Sequence, residues 1–223
     1  VLSNNQELLK NYFYDILQKD IIKRHEVREK DILEKMAVFL LSNSGKIVTI
    51  ESLKKTYNLS FETVSSYLEY FKESFLIFEL TQFSYSLKKQ SKALKKIYAV
   101  DTGLANNVSF RFSEDQGRIL ETVVFLELKK RSGEIFYFKN EDGSEVDFLV
   151  REKNVNKELI QVSWELEDAE TKKREIDSLL KAMRDLKLKN ATILTNNKTE
   201  ELIFDEGVIA IKPAVRWILE NIY

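Results

Sequence analysis

The chain has no cysteine, one histidine, one proline and six glycines in 223 residues. The missing cysteines exclude a disulfide framework, a Cys/His zinc site and a thiol nucleophile. With His25 alone, no Ser-His-Asp set assembles beyond that one residue. Gly103 and Gly117 stand isolated, so there is no glycine-rich phosphate loop and no P-loop nucleotide site in this stretch. No apolar run approaches a membrane span and no signal peptide is visible, which predicts a cytoplasmic protein without a membrane partner. Among metals, these absences leave carboxylate-bound Mg²⁺ or Mn²⁺. The chain starts at Val1 rather than Met, which suggests a piece of a longer protein.

What is present is ordinary for a globular chain: 43% hydrophobic and 32% charged residues. The length suits one large domain or two modest ones. The net charge of −1 conceals an asymmetry. Residues 1–112 carry 17 Lys/Arg against 13 Asp/Glu, and residues 113–223 carry 18 against 23. The shift from mildly basic to mildly acidic suggests a boundary near 100–115, and we take the domains as 1–105 and 106–223.

Apolar spacing in the first part predicts helices over 11–25 and 31–41, then short helices capped by Thr49 and Ser60. The last two form a helix-turn-helix joined at Tyr57-Asn58-Leu59-Ser60. Strands at 76–83 and 95–100 flank a Lys-rich loop, so three helices plus a hairpin give a winged helix. In the second part, Ser113 caps a helix over 114–131. Strands follow near 135–139, 145–150 and 159–163, then a helix over 169–186 and strands near 191–195 and 208–211. Pro213 sits where it can open a closing helix. The fold class is α/β (α+β), a winged helix-turn-helix followed by a mixed sheet flanked by helices.

Two constellations could carry chemistry. The predicted wing holds Lys88, Lys89, Lys92, Lys95 and Lys96, with Tyr85 nearby and no acid among them. Such a tip can straddle a phosphate backbone. Ser60 and Thr63 on the second helix can reach phosphates or bases, although Glu62 and Glu69 beside them repel a backbone. A solvated hairpin whose lysines discourage edge pairing explains the same pattern, and winged helices also dock proteins. His25, beside Lys23 and Arg24, reads as a surface helix end.

The second constellation is Glu121, Asp147, Gln161 and Ser163. Gln161 and Ser163 lie two apart on one strand and share a face. An acid and an amide on neighbouring strands can hold Mg²⁺ against a phosphate, with Glu121 completing the shell. A lysine would stabilise the developing charge, and Ser163 has neither charge nor reach. Lys139, on the preceding strand, is a candidate to swing in from elsewhere as a relocated lysine. The plain reading is an alternating half-exposed strand, with Glu145 and Asp147 out and Val146 and Phe148 in.

Taken together, several segments resemble the C-terminal region of archaeal and bacterial STAND-like AAA+ ATPases. They are Tyr12 to Arg28, the helix-turn-helix, the stretch Lys-Lys-Ile-Tyr-Ala-Val-Asp-Thr-Gly-Leu-Ala over 95–105, Gly117 to Glu121, and Gly143 to Asp147. That resemblance implies an upstream P-loop module that binds ATP, then a winged helix, then a domain of unknown function with a PD-(D/E)XK (restriction-endonuclease-like) core. The ATPase module is the partner it implies; DNA is the partner that the Lys-rich wing suggests, with a homo-oligomer as a further expectation. The resemblance makes Glu121, Asp147 and Gln161 the metal-side residues. Ser163 departs from that superfamily's lysine and argues for a core that keeps its fold without cutting. An active Mg²⁺- or Mn²⁺-dependent nuclease with a relocated lysine, or an interaction module that never touches nucleic acid, are the alternatives.

Overall fold

The computed structural model describes residues 6–109, 115–131 and 134–220. It is a mixed α+β structure with two sheets, and the chain divides into two compact units. The first holds the described residues through Glu79 and those from Leu94 to Ser109. The second holds Leu80–Ala93 and everything from Asp115 onward. No helix among the described residues is long and apolar enough to cross a membrane.

In the first unit, helix α1 (Gln6–Asp15) runs on into a π-helical stretch, Ile16–Ile22, which buries Leu17, Ile21 and Ile22. The 11–25 stripe is therefore two stretches of different pitch. Helix α2 (Lys30–Ser42) buries Leu33, Met36, Ala37, Leu40 and Leu41 along its inner stripe. Strand β1 (Lys46–Val48) follows, then helices α3 (Ile50–Tyr57) and α4 (Phe61–Glu73). Both start where the sequence places their caps. Thr49 Oγ1 accepts from the Ser52 N–H at 3.1 Å, and Ser60 Oγ accepts from the Thr63 N–H at 3.1 Å. Between them Asn58 adopts a left-handed conformation that turns the chain. Strands β2 (Ile77–Thr81) and β3 (Lys95–Ala99) complete a three-stranded sheet in the order β1-β3-β2. Helix α6 (Thr102–Val108) is capped by Asp101, whose Oδ1 accepts from the Leu104 N–H at 2.6 Å.

The expected loop between β2 and β3 is not a simple hairpin tip. It contains a short helix, α5 (Leu87–Lys92), and residues 80–93 belong to the second unit. There the Phe83 N–H donates to the Tyr137 carbonyl at 2.8 Å, and the Phe83 ring is buried in the second unit's core.

The rest of the second unit is a six-stranded sheet in the order β4-β5-β6-β7-β9-β8. Its strands are β4 (Glu134–Lys139), β5 (Glu145–Glu152), β6 (Val155–Val162), β7 (Asn190–Thr195), β8 (Glu200–Phe204) and β9 (Gly207–Pro213). β4, β5 and β6 are antiparallel; β6, β7 and β9 are parallel; β8 returns antiparallel on β9. Helix α8 (Ala169–Leu186) covers one face, packing Leu179, Ala182 and Met183 with Val146, Leu149, Leu159 and Ile193. Helix α7 (Gln116–Arg131) meets the sheet where Phe125 stacks on Phe148, ring centres 6.3 Å apart. The expected cap Ser113 lies outside the described residues. Pro213 ends β9, and helix α9 begins at Ala214 and runs to Glu220.

Candidate functional site

The register of β4 on β5 shifts between Phe136↔Leu149 and Phe138↔Val146, so β5 carries an extra residue at Asp147-Phe148. The irregularity sends Phe148 to the α7 side while Val146 and Leu149 both join the α8 core. Simple alternation across 146–149 fails for that reason.

Asp147 lies at this irregularity, 9% exposed. Its Oδ2 accepts from the Val162 N–H at 3.0 Å, and its own N–H donates to Gln161 Oε1 at 3.1 Å. The structure thus brings Asp147 and Gln161 together, as their strand positions suggest. The other end of Gln161 carries the information that the sequence hides. Its Nε2 donates to Glu175 Oε2, from α8, at 2.7 Å. Glu175 Oε1 in turn receives the Arg174 guanidinium at 2.8 Å. The carboxamide is a neutral crosslink between a strand N–H and a half-buried carboxylate.

Ser163 is bonded elsewhere. Ser163 Oγ donates to the Glu165 carbonyl at 2.8 Å, closing a local turn. Lys139 is exposed at the end of β4 and makes no hydrogen bond or ion pair with Asp147 or Gln161 among the described residues. It lines a separate cleft with Lys89, Glu141 and Asp185. Glu121 is half-buried on α7 and has partners within the protein. No three His, Cys, Asp or Glu side chains among the described residues group as metal ligands. A hard divalent ion needs several converging oxygens. Here one Asp147 oxygen and the Gln161 oxygen already accept backbone N–H groups, so this pair is a poor fit for Mg²⁺ or Mn²⁺.

The lysines divide into two groups. Lys95 pairs with Glu79 at 2.7 Å, and Glu79 also binds Lys72 at 3.3 Å. Lys96 is 5% exposed and partnered within the protein. Neither is a free phosphate contact. Lys88, Lys89 and Lys92 are exposed on α5 and make no ion pair among the described residues. The hydroxyls of Ser60 and Thr63 lie 3.1 Å apart and serve the α4 cap. His25, read as a helix end, stacks on Tyr70 at 3.7 Å between ring centres, with Nε2 3.6 Å from Glu73.

Sequence reasoning also passed over Glu158 on β6. Burial pushes its carboxyl up, against the lowering effects of a 2.9 Å bond from Thr192 Oγ1 and of Lys212 and Arg131. The folded protein therefore holds this proton more tightly than the unfolded chain. Stability is greatest below the ordinary glutamate value of 4.5 and is lost as pH rises through the raised folded value. Glu158→Gln, whose oxygen can still accept from Thr192, is expected to melt higher than wild type at neutral pH. The difference should vanish in acid. Thermal melts between pH 4 and 8 check it, and an unchanged difference across that range would count against the account.

The comparisons with known proteins agree with a two-part chain. The chain belongs to a family defined by a domain of unknown function, DUF8612, which matches residues 2–115. A second domain of unknown function, DUF4143, matches residues 116–214. An uncharacterized protein of Methanocaldococcus jannaschii is 40% identical over 96% of this chain and 50% of its own length. An uncharacterized protein of Haemophilus influenzae is 28% identical over 96% of the chain and 52% of its own length. The chain thus spans about half the length of these curated relatives. No solved structure matches it.

Proposed function

We propose that this chain is a non-cutting, nucleic-acid-binding region of a larger ATP-driven protein, built from a winged helix and a nuclease-like sheet. The winged-helix reading is supported by the order helix, strand, helix, helix, strand, strand, with the sheet order β1-β3-β2. The nuclease-like reading is supported by Asp147 and Gln161 on adjacent strands, with α7 and α8 on opposite faces. Domains of the DUF4143 kind are commonly found in C-terminal regions associated with AAA ATPases, which supports an upstream ATP-binding module as partner.

The observation that carries nucleic-acid binding is α5, with three exposed lysines that form no ion pair among the described residues. Each can take one phosphate and release its counterions. Loss of cutting rests on Gln161, whose amide Glu175 requires, and on Ser163, which has no positive charge to offer. Fluorescence anisotropy across a salt series tests the binding. Three phosphate contacts predict a log–log slope of about −2 to −3. Binding should fall sharply in a Lys88→Ala, Lys89→Ala, Lys92→Ala variant. No binding at low salt, or a variant that binds like wild type, would overturn the reading. Plasmid should stay intact with Mg²⁺ or Mn²⁺, and cleavage abolished by Asp147→Ala would revive the nuclease.

One observation favours a second reading. Along α4, Glu62 and Glu69 are exposed and Lys72 is held by Glu69 at 2.6 Å. That face of the helix-turn-helix is acidic and suits a basic protein surface better than a phosphate backbone. On this reading the first unit docks protein, and α5 alone meets nucleic acid.

A further inference from the structure

Within the second unit, the segment 82–93, the end of β4 and the end of α8 enclose a cleft of about 510 Å³. Its apolar wall includes Phe83 and Phe138, and Tyr85 stands at its side, 73% exposed. So exposed an aromatic ring is usually mobile, yet this one is fixed at both ends. Its edge meets the Phe83 ring with centres 4.9 Å apart at 77°, and its hydroxyl accepts from Asn156 Nδ2 at 3.2 Å. Phe83 is itself buried, with the Arg151 guanidinium 4.8 Å from its ring centre. The charged groups of the cleft are Lys89, Lys139, Glu141 and Asp185, and exposed Lys88 and Lys92 lie on the same short helix as Lys89.

We propose that this cleft binds single-stranded nucleic acid, with an unpaired base stacked on Tyr85 and the phosphates running along Lys88, Lys89 and Lys92. The inference rests on the nucleic-acid reading above and names the form of the ligand. A duplex keeps its bases stacked on each other and offers no free face to a side-chain ring. An unpaired strand does, and a held aromatic beside a row of cations is the usual platform for it. The acids of the cleft support the same polarity. Glu141 and Asp185 repel phosphates from the interior but accept hydrogen bonds from exocyclic amino groups such as cytosine N4. Bases therefore point inward and the backbone stays out on α5. The size lies in the range of small-ligand sites, so the cleft takes one or two bases rather than a helix.

The test is anisotropy of the whole chain with one labelled oligonucleotide, as a single strand and as its duplex. The single strand should bind at least fivefold more tightly. Tyr85→Ala should weaken the single strand about tenfold, the loss of one stacked base, and leave the duplex unchanged. Tyr85→Phe keeps the ring and should bind within about twofold of wild type. Lys89→Ala should lower the single-strand salt slope by about 0.7. Tyr85→Phe keeps the contact with Phe83 and should melt close to wild type, and Tyr85→Ala is assayed well below its own melting temperature. Equal binding of both forms with no effect of Tyr85→Ala overturns the single-strand site but leaves nucleic-acid binding standing. Binding of neither form overturns both.

Discussion

Gly207→Ala is expected to lower the melting temperature by about 10 °C, more than the same change at Gly103, Gly117 or Gly143, where an added Cβ meets nothing closer than 3.1 Å. Gly207 opens β9 with φ +147°, a conformation that side chains rarely adopt. A Cβ built there would lie 2.1 Å from the Lys189 carbonyl oxygen and 2.7 Å from its carbon. These are backbone atoms and cannot swing aside. The same Lys189 oxygen accepts from the Val208 N–H at 2.9 Å, so any retreat breaks the first link between β7 and β9. Strain at such a position costs about 1–3 kcal/mol, and overpacking a tight site about 1–3 more. A combined loss of about 4 kcal/mol, at roughly 2–4 °C per kcal/mol for a chain of this size, gives the shift. Calorimetry or circular dichroism reads it. A variant melting within 2 °C of wild type would mean that the β8–β9 turn is laxer than its geometry says.

The second large effect is expected from Gln161→Glu, the change that would bring the strand closer to a metal-binding pattern. In the wild type the Gln161 amide nitrogen donates to Glu175 at 2.7 Å. A glutamate places one carboxylate oxygen against another, and two carboxylates at that distance cannot both ionise at low cost. Gln161 is 7% exposed, so water offers little screening. The variant should lose about 2–3 kcal/mol at neutral pH, the cost of an unsatisfied charged group in a buried place. The sign with pH is opposite to ordinary acid denaturation. The folded variant must keep a proton on the pair, so its folded-state affinity for that proton exceeds the unfolded chain's. The deficit is full above the raised folded value, shrinks as pH falls, and disappears below the ordinary carboxylate range. Denaturant melts at pH 4 and pH 7 separate this from simple misfolding, which would leave the deficit at both. Adding Ser163→Lys tests whether a cation at 163 relieves the pair; equal stability with and without it would show that the side chain does not reach.

Much of the architecture is legible in the sequence because it rests on local chemistry. The stripes at Leu33, Met36, Ala37 and Leu40 and at Leu179 and Met183 are buried as their spacing requires. Thr49 and Ser60 cap the helices that follow them. Elements that depend on distant partners are not legible. β1 is three residues long and exists because Lys46 to Val48 pair with Lys95 to Ile97. β8 carries two glutamates and reads as a loop until β9 is laid beside it. At the candidate site, the meeting of Asp147 and Gln161 follows from strand order. Glu175 does not, since it reaches Gln161 from a helix 14 residues on. The lysine run misleads for the same reason. Sequence alone treats five cations as equal, whereas Glu79 and burial remove two of them.

The excursion of residues 80–93 into the second unit bears on how such a chain can be inherited. The two matched families meet at residues 115 and 116. A recombination at that point would separate Phe83 from the core formed by Val146, Leu149 and Leu159, and would leave Tyr137 without the N–H that its carbonyl accepts. The downstream half, moved alone to another gene, arrives with a hole in its hydrophobic centre. Descent of the two halves as one piece is the outcome that this stitching favours.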